Sequence, residues 1–199
     1  TGDHRALYHA CQTSQGEGVL AVAAVTPNQW LLQDEAKCRV QFWLATLAKL
    51  RDELNTLNIP LLIVRAPSNL ELPKQLLELA YKHRVTELCF NSEFAEYECQ
   101  RDSAVEKAFS KAHIKVSRFN SDLVITPDSI ANQQGLPYKV FTPFSKIWRQ
   151  RFIELNPQPL PKPGKQVETG IQPSDVPANI GYQNQMGADW NRLLWPPGT

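Results

Sequence analysis

The chain has 199 residues, a hydrophobic fraction of 42% and a formal net charge of +1 at pH 7. This length allows one domain of ordinary size with some additional chain, and the apolar content is enough for a buried core. The near-neutral charge argues against nucleic-acid binding by this chain alone, and no apolar run approaches the roughly 20 residues of a membrane span.

Helical and strand patterns alternate along residues 4–120. Apolar residues recur at helical spacing in four segments, 4–14, 36–56, 72–83 and 96–112. Short apolar runs typical of buried parallel strands occupy 18–27, 60–64, 87–91 and 114–120. Strands separated by helices of this length indicate right-handed crossovers. The predicted fold is therefore α/β, a doubly wound, mainly parallel, Rossmann-like sheet.

The first predicted element is a helix, whereas a doubly wound sheet begins with a central strand that feeds the first helix. Thr1, Gly2 and Asp3 resemble the turn that would follow such a strand. We therefore expect the sheet to lack its first strand. Its absence would leave unpaired backbone on two neighbouring strands.

A joint is predicted in the stretch GLPYKVFTPF, residues 135–144. Thr142 offers an N-cap and Pro143 suits the first helical position, so a helix should start there. The neighbouring aromatic residues need an apolar surface to cover them. We expect Phe141 to lie in the α/β core and Phe144 to face a seam with another domain.

The character of the chain changes beyond about residue 155. The segment NPQPLPKPGKQ contains four prolines, which exclude helix and favour an extended, polyproline-like conformation. We predict an α/β domain over residues 1–155 and a Pro-rich linker with an irregular segment over residues 156–199.

Cysteine and histidine spacing gives no sign of a metal site. Cys11, Cys38, Cys89 and Cys99 show neither CxxC spacing nor the density of a disulfide scaffold, and the histidines form no HxxxH or HExxH pattern. We expect reduced thiols, no bound metal and, because no signal peptide precedes Thr1, a cytoplasmic location. A glycine-rich phosphate loop is also absent, which disfavours an ordinary dinucleotide enzyme or nucleoside triphosphatase.

Four stretches in order resemble the DNA photolyase/cryptochrome family. TGDHRALYHAC is similar to the family segment LRxxDNxAL, with His4 in place of the usual Asn, and GVLAVAAVTPNQW resembles its second strand. NSEFAEYECQRD is similar to N-x-E-Y-x-x-x-E-x-x-R-D, with Asn91, Glu98, Arg101 and Asp102 in step. YKVFTPFSKIW resembles the YKVFTPF hinge of the cyclobutane-dimer branch. The resemblance runs from residue 1 to about residue 150 and points to the antenna domain of a class I photolyase.

The resemblance implies a part in light-driven DNA repair. The parent would be a deoxyribodipyrimidine photolyase, a carbon–carbon lyase, in which an antenna domain passes light energy to FAD in a helical domain. That helical domain, which would also bind damaged DNA, is the expected partner and is not in this sequence. No catalytic residue is therefore expected here, and the chain alone should be inactive in repair. The alternatives are a cryptochrome-type photoreceptor domain and a stand-alone nucleotide-like binding module.

The resemblance also implies a pigment site, with methenyltetrahydrofolate as the candidate pigment. A family-type folate site uses a His after the TPxQW stretch and an Asn–Glu pair; the corresponding residues here are Gln33, Tyr97 and Glu98. Only the carboxylate is retained, so we expect a degenerate site. Glu98 suits the paired N–H groups of a pterin-like ring, but a solvated charge in the first turn of a helix remains an equal alternative.

Overall fold

The computed structural model describes residues 1–120, 123–126, 129–183, 190–191 and 194–198. Its helices are α1 (Arg5–Thr13), α2 (Pro27–Leu32), α3 (Lys37–Thr56), α4 (Leu72–Lys82), α5 (Glu96–Lys111) and α6 (Phe141–Leu155). Its strands are β1 (Ala21–Val25), β2 (Leu61–Arg65), β3 (Glu87–Asn91) and β4 (Lys115–Phe119). The alternation of helices and strands is confirmed. The sequence patterns missed the short helix α2, which begins with Pro27 directly after β1.

The strands pair as two separate parallel sheets. β1 pairs with β2 in the register Ala21 to Leu61, and β3 pairs with β4 in the register Glu87 to Lys115. No strand pairing joins the two sheets within the described residues. The expected parallel α/β sheet is present, but as two halves.

Helices cover both faces of the half-sheets, as a doubly wound fold requires. On one face, Cys11 of α1 and Leu47 and Leu54 of α3 pack with Leu61 of β2. On the other face, Ala80 of α4 packs with residues of α5, β3 and β4. Side chains alternate between the faces with the strand period of two, so neighbouring strand residues contribute to different clusters.

Two helices hold the half-sheets together. Helix α1 packs its Leu7 beside β1 and β2, while its His9 ring lies 4.9 Å from that of Phe119 in β4. Helix α4 does the same on the opposite face, because Leu76 contacts both the cluster around Val64 of β2 and the cluster around Phe109 of α5. The space between the half-sheets is therefore bounded by a helix on each side.

The predicted joint differs from the structure in two respects. Helix α6 begins at Phe141, its N-cap is Val140, and neither Thr142 nor Pro143 has the position expected of it. Phe141 is 75% exposed, so the expectation that it lies in the core is wrong. Thr142 cannot cap the helix because the helical turn starts before it.

Beyond α6 the chain is extended, and it lies along the α/β domain. The amide of Gln166 donates to the carbonyl of Leu57, and that of Ser174 donates to the carbonyl of Leu61 beside β2. Tyr182 donates its hydroxyl to the carbonyl of Glu35 at 2.7 Å. Residues 156–183, called the C-terminal segment below, are thus bound to the domain along much of their length.

No described helix combines the length and the apolar character needed to cross a membrane.

Candidate functional site

The candidate site begins at the carboxyl end of β1, where α2 brings Gln33 into position. Thr26 follows the strand as the N-cap of α2, and Pro27 takes the first helical position, where its missing N–H costs no hydrogen bond. Gln33 is the C-cap, and its amide donates to the carbonyl of Gln29. The two glutamines lie one turn apart on the same face of the helix.

A buried ionic network fixes the start of α5, which carries the other two predicted site residues. Asp102 is 2% exposed and bonds Arg101 at 2.7 Å and Arg118 of β4 at 3.5 Å. It also accepts a hydrogen bond from the amide of Glu93 at 3.3 Å. Burial lowers the pKa of Arg101, but the hydrogen bonds and charges of Asp102 and Glu93 outweigh it and raise the pKa overall. The Arg–Asp pair of the sequence motif is therefore structural.

The structure brings Gln33 and Glu98 together. The side-chain Nε2 of Gln33 donates to Oε1 of Glu98 at 2.8 Å, across 65 residues of sequence. The second oxygen, Oε2, is buried and has no hydrogen-bond partner in the described part of the chain. Tyr97, in contrast, is 44% exposed. A buried carboxylate oxygen without a donor is costly to keep, so this atom is the natural contact point for a ligand N–H.

Gln29 is a polar residue at this site that the sequence interpretation did not single out. It is 6% exposed, and its Nε2 is buried without a hydrogen-bond partner among the described residues. It belongs to the TPNQW stretch, and its spacing of four from Gln33 was the available indication that the two share a helix face.

A second polar pair marks the carboxyl end of β3. Asn91 accepts a hydrogen bond from the amide of Ala6 at 3.2 Å, and its Nδ2 lies 3.2 Å from Nε2 of His4. His4 in turn accepts from the amide of Leu7 through Nδ1 and so caps α1. Asn91, which matches the family pattern, and His4, which replaces its usual Asn, therefore hold α1 against the sheet.

The chemistry available from Gln29, Gln33 and Glu98 is recognition. Together they offer amide donors and one carboxylate acceptor, which suits the edge of a nitrogen heterocycle. A nucleophile activated by a neighbouring base, as covalent catalysis requires, is not part of this group.

Comparison with known proteins gives one family match. The family model described as DNA photolyase matches residues 1–164. The deoxyribodipyrimidine photo-lyase of Buchnera aphidicola is 34% identical over 163 residues, which cover 82% of this chain and 34% of that protein. The chain thus spans about a third of the length of this curated relative.

Two further comparisons concern length and fold. An uncharacterized 31.6 kDa protein of Synechococcus is 28% identical over 199 residues, covering 98% of this chain and 66% of that protein. The crystal structure of the archaeal photolyase from Sulfolobus tokodaii, described with two FAD molecules and a novel light-harvesting cofactor, superposes with a TM-score of 0.61 at 20% identity. That match covers 82% of this chain and 35% of the other, and shows a shared fold.

Proposed function

The chain belongs to the DNA photolyase family, as the N-terminal α/β domain of such a protein, and we propose that it serves as the light-harvesting domain of a light-driven DNA-repair enzyme. FAD occurs in a solved photolyase of the same fold. In the proposed parent, FAD and the cavity for a flipped-out pyrimidine dimer belong to a helical domain outside these residues. The chain alone would then bind a pigment but repair nothing.

The observation that carries the proposal is the pairing of Gln33 with Glu98 beside a buried, unpaired carboxylate oxygen. The pair lies between the helix that follows β1 and the first turn of α5, which follows β3. Ligands of open α/β sheets bind at these carboxyl ends. This position supports the proposal of a site for a small heterocyclic pigment.

The same contact explains why the site should bind methenyltetrahydrofolate poorly. Gln33 already donates to Oε1, so a pterin ring can reach only one oxygen of Glu98 unless the amide moves away. Exposed Tyr97 supplies no amide in the place of the family's Asn. Each missing hydrogen bond to a buried polar group costs roughly 1–3 kcal/mol. Two missing anchors correspond to a loss of affinity of about 30-fold or more.

The test is a folate titration of the purified chain, followed by absorbance of the bound pigment. The double variant Gln33→His with Tyr97→Asn should bind methenyltetrahydrofolate at least about 30-fold more tightly than the natural chain. Tyr81→Asn is a matched control, since Tyr81 is a 62% exposed tyrosine on α4. Tight folate binding by the natural chain, or no gain in the double variant, would show that these residues do not form the pigment site.

A second candidate is a stand-alone pigment- or nucleotide-binding module. One observation in its favour is that the C-terminal segment is hydrogen-bonded to the α/β domain, whereas a flexible tether would extend away from the domain. Another is the 31.6 kDa relative, which matches 98% of the chain. An immunoblot of source cells with an antibody to this chain decides between the candidates. A band near the mass of that relative supports the module, whereas a band about three times the mass of this chain supports the photolyase parent.

We also propose that a fifth parallel strand lies between β1 and β3 in the parent protein. The two half-sheets are not joined by any strand pairing among the described residues, and α1 and α4 contact both. The outer edge of β2 is already occupied by Ser174, which leaves the inner edge of β1 for a new strand. Amide hydrogen exchange in the parent should show β1 protected on both edges; exchange as fast as in this chain would contradict the added strand.

A further inference from the structure

A polar cluster at the amino end of β3 belongs to neither the pigment site nor the core. His9 of α1, Glu87 and Cys89 present ligand atoms that all lie within 4.8 Å of one another. Nε2 of His9 is 3.2 Å from Oε1 of Glu87. Glu87 is the first residue of β3 and Asn91 is the last. The cluster therefore lies toward the opposite end of the strand from the pigment site.

We propose that His9, Glu87 and Cys89 bind one divalent transition-metal ion, with Zn²⁺ as the best match. Imidazole, thiolate and carboxylate are the three ligand types of zinc sites. A tetrahedral zinc ion needs its ligand atoms about 3.3–3.6 Å apart, so only a small closing movement of these side chains is required. A soft thiolate together with imidazole disfavours Mg²⁺ and Ca²⁺, which prefer oxygen ligands.

The three ligands are held by regular secondary structure. Glu87 and Cys89 are two residues apart in a strand, so both side chains point to the same face of the sheet. That face is covered by α1, which places His9 above them, and the ring of Phe119 packs 4.9 Å from the imidazole and limits its rotation. Ser117 donates to Oε1 of Glu87 and orients the carboxylate from the side, the role that outer-shell partners have in metal sites.

A lysine would compete with the metal ion for Glu87. Nζ of Lys115 lies 3.0 Å from Oε1 of Glu87, and its side chain is 63% exposed. The ammonium group can therefore move into solvent when a metal ion arrives. Binding replaces three of the ion's waters with protein ligands and leaves a fourth position for water. The Cys89 thiol releases its proton to solvent, and the Nε2 proton that His9 directs at Glu87 leaves to solvent or to Nδ1 before Nε2 coordinates the ion.

Local sequence motifs could not reveal this cluster. Its ligands are separated by 78 residues, and only the packing of α1 on β3 brings them together. The expectation of no metal rested on spacing patterns within short stretches, which detect sites built on one loop or one helix.

Cobalt substitution tests the proposal on the whole chain. Co²⁺ added to chelator-treated protein should produce a thiolate-to-metal charge-transfer band in the near ultraviolet that saturates at one ion per chain, and Zn²⁺ should abolish it. Cys89→Ser should remove the band. The control Cys38→Ser, a partly buried cysteine on α3, should retain it. His9→Gln should weaken binding at least about 10-fold, since even outer-shell losses have that scale.

Lys115→Met separates metal binding from a purely structural role for the cluster. If the ammonium group of Lys115 competes with the metal ion for Glu87, removing it should tighten Co²⁺ binding several-fold. If the Lys115–Glu87 ion pair is only structural, the affinity for Co²⁺ should stay unchanged, which would count against the proposal. No band in the natural chain, or an unchanged band in Cys89→Ser, would overturn the proposal. If Cys89→Ser does not fold, as judged by far-ultraviolet circular dichroism, an unchanged affinity in His9→Gln overturns it instead.

Discussion

Helices α5 and α6 each carry a phenylalanine, and the two rings are buried to very different extents. Phe109 of α5 is 1% exposed, within a cluster formed with Ala80, Val105 and Ile114. Phe141 of α6 is 75% exposed, and its ring lies 6.4 Å from that of Phe144 in the same helix. Periodicity tells which side chains share a helix face, but another element must be present to cover that face.

The largest effect is expected where that cover exists. Phe109→Ala should lower the free energy of unfolding by about 3–5 kcal/mol, because it removes a buried ring and leaves a cavity that the helices cannot fill. Urea denaturation followed by circular dichroism measures the loss. Phe109→Leu should cost clearly less, since it keeps most of the apolar volume. A loss under 1 kcal/mol for Phe109→Ala would show that α5 is not packed on the sheet as described.

The next test concerns the contact between the C-terminal segment and the turn before β1. It uses two glycines of that turn, which share a backbone conformation. Gly16 and Gly18 have φ of +87° and +92°, where a side chain is strained. A Cβ on Gly18 would lie 2.5 Å from Cγ2 of Thr169, whereas a Cβ on Gly16 meets nothing within 4 Å. Gly16→Ala should cost about 1 kcal/mol and Gly18→Ala about 2–3 kcal/mol.

The difference between these two variants reports whether the segment is bound at this point. The strain of the left-handed backbone is common to both, so it cancels in the comparison. Thermal and urea melts of the two variants, measured side by side, give the difference. Equal losses would contradict the packing of Thr169 against the turn before β1.

A smaller, pH-dependent effect is expected at Glu87. Burial opposes ionisation of its carboxyl group, but hydrogen bonds from Ser117, Lys115 and His9 and the charge of Lys115 outweigh burial and lower the pKa from 4.5 to about 2. A carboxyl group with a lowered folded-state pKa stabilises the protein above its unfolded value near 4.5. That contribution disappears as pH falls from about 4.5 through about 2.

Glu87→Gln measured in metal-free buffer isolates this contribution. At pH 7 the variant should be less stable than the natural chain by about 1–2 kcal/mol, the scale of hydrogen bonds to a charged group. The gap should narrow steadily as pH is lowered from 4.5 to 3. A gap that is the same at pH 7 and pH 3 would mean that the ionised carboxylate of Glu87 does not stabilise the fold.

The sequence predicted the elements of the first 120 residues, apart from α2, because local patterns determine them. Continuous apolar runs identified β1 and β2, and the spacing of Leu47 and Leu54 identified the buried face of α3. The split of the sheet was predicted only indirectly, through the expectation that a missing first strand would leave unpaired backbone on two neighbouring strands. Helix α2 was missed, since a six-residue helix starting at a proline is too short to show periodicity.

The site was predicted in part, for a physical reason. Gln33 and Glu98 were named from a resemblance, and their 2.8 Å contact joins residues that no local pattern relates. Gln29 was not named, because its burial depends on how α2 packs. Tyr97 was named but is 44% exposed. Contacts between distant segments are set by the fold, so sequence reasoning finds the residue types more readily than the partners.

The smallest effect is expected for Phe141, the exposed phenylalanine at the start of α6. Phe141→Ala should change the free energy of unfolding of this chain by less than about 0.5 kcal/mol, since a 75% exposed ring has little contact to lose. Urea denaturation beside Phe109→Ala measures it under identical conditions. A loss above 1 kcal/mol would mean that α6 packs on the α/β domain in solution. In a longer chain containing the proposed helical domain, the same substitution should become costly, because that domain would cover the ring and the apolar area would be removed from water.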